Sequence, residues 1–172
     1  MLAILGPSKT IDTSPHEATE VFGPPKYLAQ AEELVKVLRK YSLPQLKTLM
    51  KVSDKLATQT FERYAAWSTS YSTEEGQQAI LAFSGEVFNG LKARSLSEQD
   101  LLFAQEHVRI LSGLYGVLKP LDLILPYRLE MGTKLPNTKG SNLYEFWSEV
   151  IPERIAGDTE MQDSPVLINL AS

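Results

Sequence analysis

Hydroxyl-bearing and basic residues recur where apolar runs stop. Leu5 is followed by Gly6-Pro7-Ser8-Lys9-Thr10, Phe83 by Ser84-Gly85-Glu86, and Leu170 by Ala171-Ser172. In open α/β sheets, ligands bind beyond the carboxyl ends of strands, where loops and helix N-termini supply backbone donors. Ser8 and Lys9 are therefore candidates for holding an anion, although ordinary strand-ending turns have the same composition. The Gly-Pro-Ser-Lys-Thr run lacks the leading glycine and the spacing of a nucleotide-binding phosphate loop.

Three further groups share this chemistry. In Ser53-Asp54-Lys55 the lysine falls in the first turn of a helix, where the macrodipole disfavours a cation by ~0.3–1 kcal/mol. It serves either a bound anion or only Asp54 and water. Arg109-Ile110-Leu111-Ser112-Gly113-Leu114-Tyr115-Gly116-Val117-Leu118-Lys119-Pro120 sets two glycines between two cations. Backbone N–H groups at Gly113 and Gly116, with Arg109 and Lys119, form the kind of set that contacts phosphates, and the segment loosely resembles a helix-hairpin-helix element. A structural turn that lets Tyr115 pack reads equally well. Pro126-Tyr127-Arg128-Leu129-Glu130-Met131-Gly132 adds an arginine and a carboxylate in irregular chain, as a ligand clamp or as an ion pair pinning the loop.

Other chemistries are poorly supplied. No cysteine is present, which removes disulfides, zinc–thiolate sites, iron–sulfur clusters and thiol nucleophiles. His16 and His107 lack ligand-like spacing. Glu145, Glu149 and Glu153 recur every fourth residue without the histidines of a di-iron bundle. No Gly-x-Ser-x-Gly elbow supports a serine hydrolase. Metal and cofactor sites are accordingly not expected.

These groups need elements to hold them. Met1–Leu5, Ala79–Phe83 and Val166–Ser172 read as short buried strands. Leu28, Ala31, Leu34, Val35 and Leu38 recur at helical spacing, with Glu32, Glu33, Lys36 and Arg39 facing water. Ser42 with Gln45 forms a capping box with Pro44 in the first turn, and Ser53 caps a third helix. Ser72 with Glu75 forms another box, and Val87, Phe88 and Leu91 mark a short amphipathic turn. Ser97 with Asp100 precedes a helix running through Val108. Irregular chain fills much of Gly113–Gly140, and a last helix spans Leu143–Ile151, weakened at Pro152. Strands separated by helices predict a mixed α/β (α+β) layer structure with a few buried strands flanked by helices, as one domain over residues 1–172.

Of the 172 residues, 43% are hydrophobic and 22% charged, which suits a single packed core and excludes disorder. The net charge is −4, and residues 141–172 hold one basic and six acidic side chains. An acidic chain lacks the overall field of a strong non-specific nucleic-acid binder, so any such contact needs a local basic cleft. No apolar run approaches the ~20 residues that span a bilayer, and the N-terminus does not read as a signal peptide. The expectation is a soluble, cytoplasmic protein without a membrane partner.

The Ser8-Lys9-Thr10 run, Leu49–Ala57, Leu111–Asp122, Pro126–Gly132 and the closing Ile168-Asn169-Leu170-Ala171-Ser172 together resemble the bacterial YaaA family of peroxide-stress proteins over essentially the whole chain. The resemblance implies a cytoplasmic protein that helps cells survive hydrogen peroxide by lowering unincorporated iron and limiting oxidative damage. It also implies a mixed α/β fold, a positively charged cleft, a helix-hairpin-helix-like element falling here on Gly113–Lys119, and affinity for DNA. It carries no catalytic residues across. Family members continue past the Asn-Leu-Ala-Ser strand into a lysine-rich portion, so this chain is expected to lack that part and to bind DNA more weakly.

Two functional readings follow. In the first, Ser8, Lys9, Lys55, Arg109, Gly113, Tyr115, Gly116, Lys119 and Arg128 line a nucleic-acid or anion site. In the second, an enzyme acts on a small anionic substrate through Ser8, Lys9, Ser84, Arg109, Arg128 and Glu130, with Glu130 as base. Both expect Lys9, Lys55, Arg109 and Arg128 to gather round one concavity.

Overall fold

A computed structural model describes residues 1–14 and 19–171. Pro15, His16 and Ser172, which entered the sequence reading, lie outside the described residues. The chain opens with β1 (Leu2–Leu5) and β2 (Thr10–Ile11), followed by the helices α1 (Leu28–Leu38), α2 (Leu43–Met50) and α3 (Asp54–Ala66). Next come β3 (Gln77–Gln78), α4 (Ala79–Ala82), β4 (Phe83–Ser84), α5 (Glu86–Leu91) and α6 (Glu98–His107). The remainder holds β5 (Val108–Ser112), β6 (Gly116–Leu118), β7 (Leu123–Ile124), α7 (Leu143–Trp147), α8 (Val150–Glu160) and β8 (Leu167–Leu170). The architecture is mixed α/β, as the alternation of apolar runs and helical periodicity predicts.

The main sheet has the order β6-β5-β1-β8. β1 runs parallel to both β5 and β8, with Leu5 beside Ile110 and Leu170, while β6 returns antiparallel to β5. The uninterrupted Leu-Ala-Ile-Leu of β1 suits a strand with helices on both faces. On one face Leu5, Ile110 and Leu118 join the large core with Leu34, Val35 and Leu38 of α1. On the other, Ile4 and Val117 pack against Ile155 of α8, flanked by Leu111 and Ile151. Each fully buried aliphatic side chain contributes roughly 1.5–3 kcal/mol.

Local signals hold where the chemistry is local. Ser42 and Gln45 close their capping box ahead of α2, and Ser97 and Asp100 close theirs ahead of α6. The Ser53 hydroxyl accepts the Leu56 N–H at 3.4 Å at the start of α3. Ser72 and Glu75 instead hold a turn, in which the Gly76 N–H donates to the Ser72 carbonyl at 2.9 Å.

Several expectations are corrected. Ala79–Ala82 forms a helical turn and only Phe83–Ser84 is strand. A short, fully buried run carries no period to separate the two, and the Pro120 and Asp122 carbonyls receive the N–H groups of Ile80 and Ala79. Val108 opens β5 rather than closing α6, and the segment expected to be irregular contains β6 and β7. The last helix is two, α7 and α8, with Pro152 in the first turn of α8, where its missing N–H costs nothing. Arg39 is exposed as expected, but its guanidinium also donates to the Tyr64, Ala65 and Trp67 carbonyls at 2.8, 3.2 and 2.5 Å, closing the C-terminus of α3. β8, expected to be buried, is exposed along its whole length. It pairs with β1 on one side, and no strand among the described residues takes its other edge.

The segment expected to resemble a helix-hairpin-helix is a β-hairpin. Ser112 faces Gly116 across a three-residue loop, Gly113-Leu114-Tyr115, and Gly116 takes a φ of +70°, a conformation that favours glycine. The tip of this hairpin is driven into the core rather than presented to solvent: Leu114 and Tyr115 are completely buried.

Candidate functional site

The first two strand ends meet. Beyond β1, the Ser8 hydroxyl donates to the Ser84 carbonyl and accepts the Thr10 N–H at 3.1 Å. β2 and β4 pair antiparallel at the same place. Gly85 permits this approach, since a Cβ there would stand 2.7 Å from the Ser8 Oγ. The third strand end lies alongside through the Leu5–Leu170 register. The parallel arrangement that brings these ends together was not visible in the sequence.

Lys9 and Arg128 converge here. Arg128 Nη1 donates to the Lys9 carbonyl at 3.3 Å. Glu130 lies between the two cations, 3.0 Å from Lys9 Nζ and 3.6 Å from Arg128 Nη2. The Arg128 Nε–H is buried and has no hydrogen-bond acceptor among the described residues; an orphaned buried donor costs about 1–3 kcal/mol.

The strap carrying these side chains is fixed along its length. The Tyr64 hydroxyl donates to the Arg128 carbonyl at 2.6 Å. The Tyr127 and Ser112 hydroxyls share a hydrogen bond of 2.7 Å, and Tyr127 meets Tyr115 edge to face at 5.4 Å. Burial pushes the phenols of Tyr64, Tyr115 and Tyr127 well above their ordinary range, so they stay neutral. A Cβ on Gly113 would collide with the Leu129 carbonyl.

The remaining predicted residues lie elsewhere. Gly113, Tyr115 and Gly116 are buried, and each is occupied by the fold. The Gly113 carbonyl accepts the Trp147 indole N–H at 3.0 Å, the Tyr115 N–H donates to the Ser112 Oγ at 2.9 Å, and a Cβ on Gly116 would lie 2.8 Å from the Trp147 ring. These positions shape the hairpin and do not offer amides to solvent. Arg109 is 3% exposed and bound to Asp158 at 2.6 Å, with the Gln105 and Val108 carbonyls at 2.9 and 2.6 Å. Lys55 is exposed and makes no ion pair among the described residues, since Asp54 takes Lys47 at 2.7 Å instead. Lys119 belongs with Arg109: β6 is antiparallel to β5, so its end returns beside Arg109, four residues back from Gly113. The expected gathering of Lys9, Lys55, Arg109 and Arg128 round one concavity is thus corrected. Lys9 and Arg128 meet, and Arg109 faces α8.

Two cavities flank these residues. One of about 430 Å³ adjoins Ser84 and is lined by Phe83, Phe88, Asn89 and Arg94. Arg94 is held there by Asp12 at 3.1 Å and by the Leu81 carbonyl at 3.2 Å. The other, of about 170 Å³, is lined by Pro24, Lys26, Arg109, Val117, Lys119, Asp122 and Arg154. The sequence reading missed Lys26, Asp122 and Arg154. The only local signal was Asp122 standing three residues after Lys119, as a side chain closing a turn does.

Among the described residues no group of three or more His, Asp or Glu side chains is placed to hold a metal ion. No helix among them is long and apolar enough to cross a membrane. A family model described as "Peroxide stress protein YaaA" matches residues 1–172. The chain belongs to the YaaA family. Two relatives, each named "UPF0246 protein", support the assignment. That of Dechloromonas aromatica (strain RCB) is 52% identical over 174 residues, and that of Janthinobacterium sp. (strain Marseille) is 47% identical over 172 residues. Each alignment covers 100% of this YaaA-family chain and 67% of the relative.

Proposed function

We propose that this chain acts in the cytoplasm in defence against peroxide, contacting DNA through local cations and limiting oxidative damage by lowering unincorporated iron. The observation that carries the reading is the family match across residues 1–172. DNA contact is supported by the convergence of Lys9 and Arg128 beyond β1, together with exposed Lys55 at the start of α3. With a net charge of −4, attraction to phosphate is local rather than a property of the whole surface. The effect on iron is indirect in this reading, exerted through what the protein binds and not through storage.

Duplex-DNA binding measured across a range of salt tests the contact. Log affinity is expected to fall with log salt by ~0.9 per phosphate neutralised. The Lys9→Gln, Arg128→Gln double variant should lower that slope by roughly two contacts' worth. Salt-insensitive binding, or an unchanged slope in the variant, overturns it. Electron paramagnetic resonance of chelated iron in peroxide-treated cells with and without the protein tests the iron effect: equal signals overturn it.

A further inference from the structure

The small cavity beside α8 concentrates positive charge that the fold answers only in part. Its wall carries Lys26, Arg109, Lys119 and Arg154, with Asp122 as its own carboxyl. Asp158 takes both guanidinium groups through their Nε atoms, at 2.6 Å from Arg109 and 2.8 Å from Arg154. One carboxylate thus serves two arginines, and neither the Arg109 Nη2 nor the Arg154 Nη groups have a hydrogen-bond partner among the described residues. Lys119 Nζ stands 3.9 Å from the exposed Glu106, at the outer limit of an ion pair. The Lys26 ammonium lies over the Tyr27 ring at 5.7 Å.

We propose that this cavity binds one phosphate-type anion, free or as the terminal group of a small molecule. With its Nε on Asp158, Arg154 keeps both Nη groups as a fork for two oxygens of a phosphate, and Arg109 adds its single free Nη2. Such charge-assisted bonds hold an anion more tightly than neutral donors do. Arg109 and Arg154 come from different elements, β5 and α8, and are locked by the same Asp158, so their remaining N–H groups are fixed before any ligand arrives. Preorganised donors of this kind bind without a large ordering cost. Lys26 and Lys119 add two mobile charges. The volume, about 170 Å³, equals the share of roughly five or six waters at ~30 Å³ each. That is room enough for a phosphate. The two arginines are recessed, with side chains 3% and 17% exposed. A terminal or inorganic phosphate reaches them more readily than a diester flanked by sugars in a duplex. Burial pushes the Asp122 carboxyl up to about 7, which lessens its repulsion of an anion at neutral pH.

The site is independent of the Lys9–Arg128 cluster, and so is its test. Calorimetric titration of the chain with inorganic phosphate is expected to give saturable binding of one ion. The Lys26→Met, Lys119→Met double variant, which leaves the Asp158 pairs intact, should bind at least tenfold more weakly. The Lys9→Gln, Arg128→Gln variant should bind as the parent does, and Asp122→Asn as well or better. Absence of saturable binding overturns the proposal, as does equal affinity in the Lys26/Lys119 variant. Displacement of phosphate by stoichiometric duplex DNA would also overturn it and assign the cavity to nucleic acid.

Discussion

The main-chain N–H of Lys119 donates to Oδ2 of Asp122 at 2.8 Å. That one bond closes the turn between β6 and β7 and draws a carboxyl group 93% out of solvent, since Asp122 is 7% exposed. The carboxyl is raised from 3.8 to about 7, chiefly by burial, against the opposing pull of the Lys119 hydrogen bond and of the Lys119, Arg109 and Arg154 charges. Lys26 lines the same cavity, and Tyr71 lies within electrostatic reach.

A pH dependence follows from this. Below about pH 4 the carboxyl is protonated both folded and unfolded. Between about 4 and about 7 the unfolded chain releases the proton while the folded chain keeps it, so stability falls as pH rises through this window and levels off above it. At ~1.4 kcal/mol for each pH unit, the whole fall amounts to a few kcal/mol. Asp122→Asn, whose amide oxygen can still accept the Lys119 N–H, is expected to flatten it. Urea unfolding of parent and variant from pH 5 to 8 measures the difference; parallel curves would refute the assignment.

The shared carboxylate of Asp158 gives a second expectation. Asp158→Asn leaves Arg109, 3% exposed, without its counter-charge, and removing one partner of a buried pair costs ~3–5 kcal/mol. Arg154→Met should cost far less, because Asp158 keeps Arg109. Denaturant midpoints of the two variants give the comparison, and equal losses would contradict the role assigned to Asp158.

Gly113 and Gly116 should tolerate no side chain. In Gly113→Ala the new methyl meets the Leu129 carbonyl, and in Gly116→Ala it meets the Trp147 ring at a φ of +70°. The left-handed conformation alone costs ~1–2 kcal/mol, and overpacking ~1–3 kcal/mol. Thermal unfolding should show a loss of at least about 1 kcal/mol in each variant. A loss below ~0.5 kcal/mol in both would mean that the hairpin tip is not so tightly enclosed.

What the sequence disclosed follows the range of the forces involved. Ser42 with Gln45 and Ser97 with Asp100 were legible because a capping box is closed within four residues. The periodic face of α1 was legible because its apolar spacing is its own. Val108–Ser112 was missed since it follows α6 without a break and carries an arginine at its second position, whose partner, Asp158, lies 49 residues away. The exposure of Arg39 was legible, but its acceptors were not, because they are carbonyls at the far end of another helix. The meeting of Lys9 with Arg128, 119 residues apart, depends on β1 and β5 running parallel, which no single segment records. The cavity cations Lys26 and Arg154 had no signal of their own. Each stands alone among ordinary neighbours, and only folding makes them a group.

The outer rim of β8 has a practical meaning for anyone handling this protein. Its backbone groups on that side, with Leu167, Ile168 and Leu170 exposed, form an unpaired rail among the described residues, the kind of strand edge that can template pairing with another strand. A complementary strand fused or grafted there would extend the sheet without disturbing β1, β5 or β6. The same rail is where crowded samples should first clump.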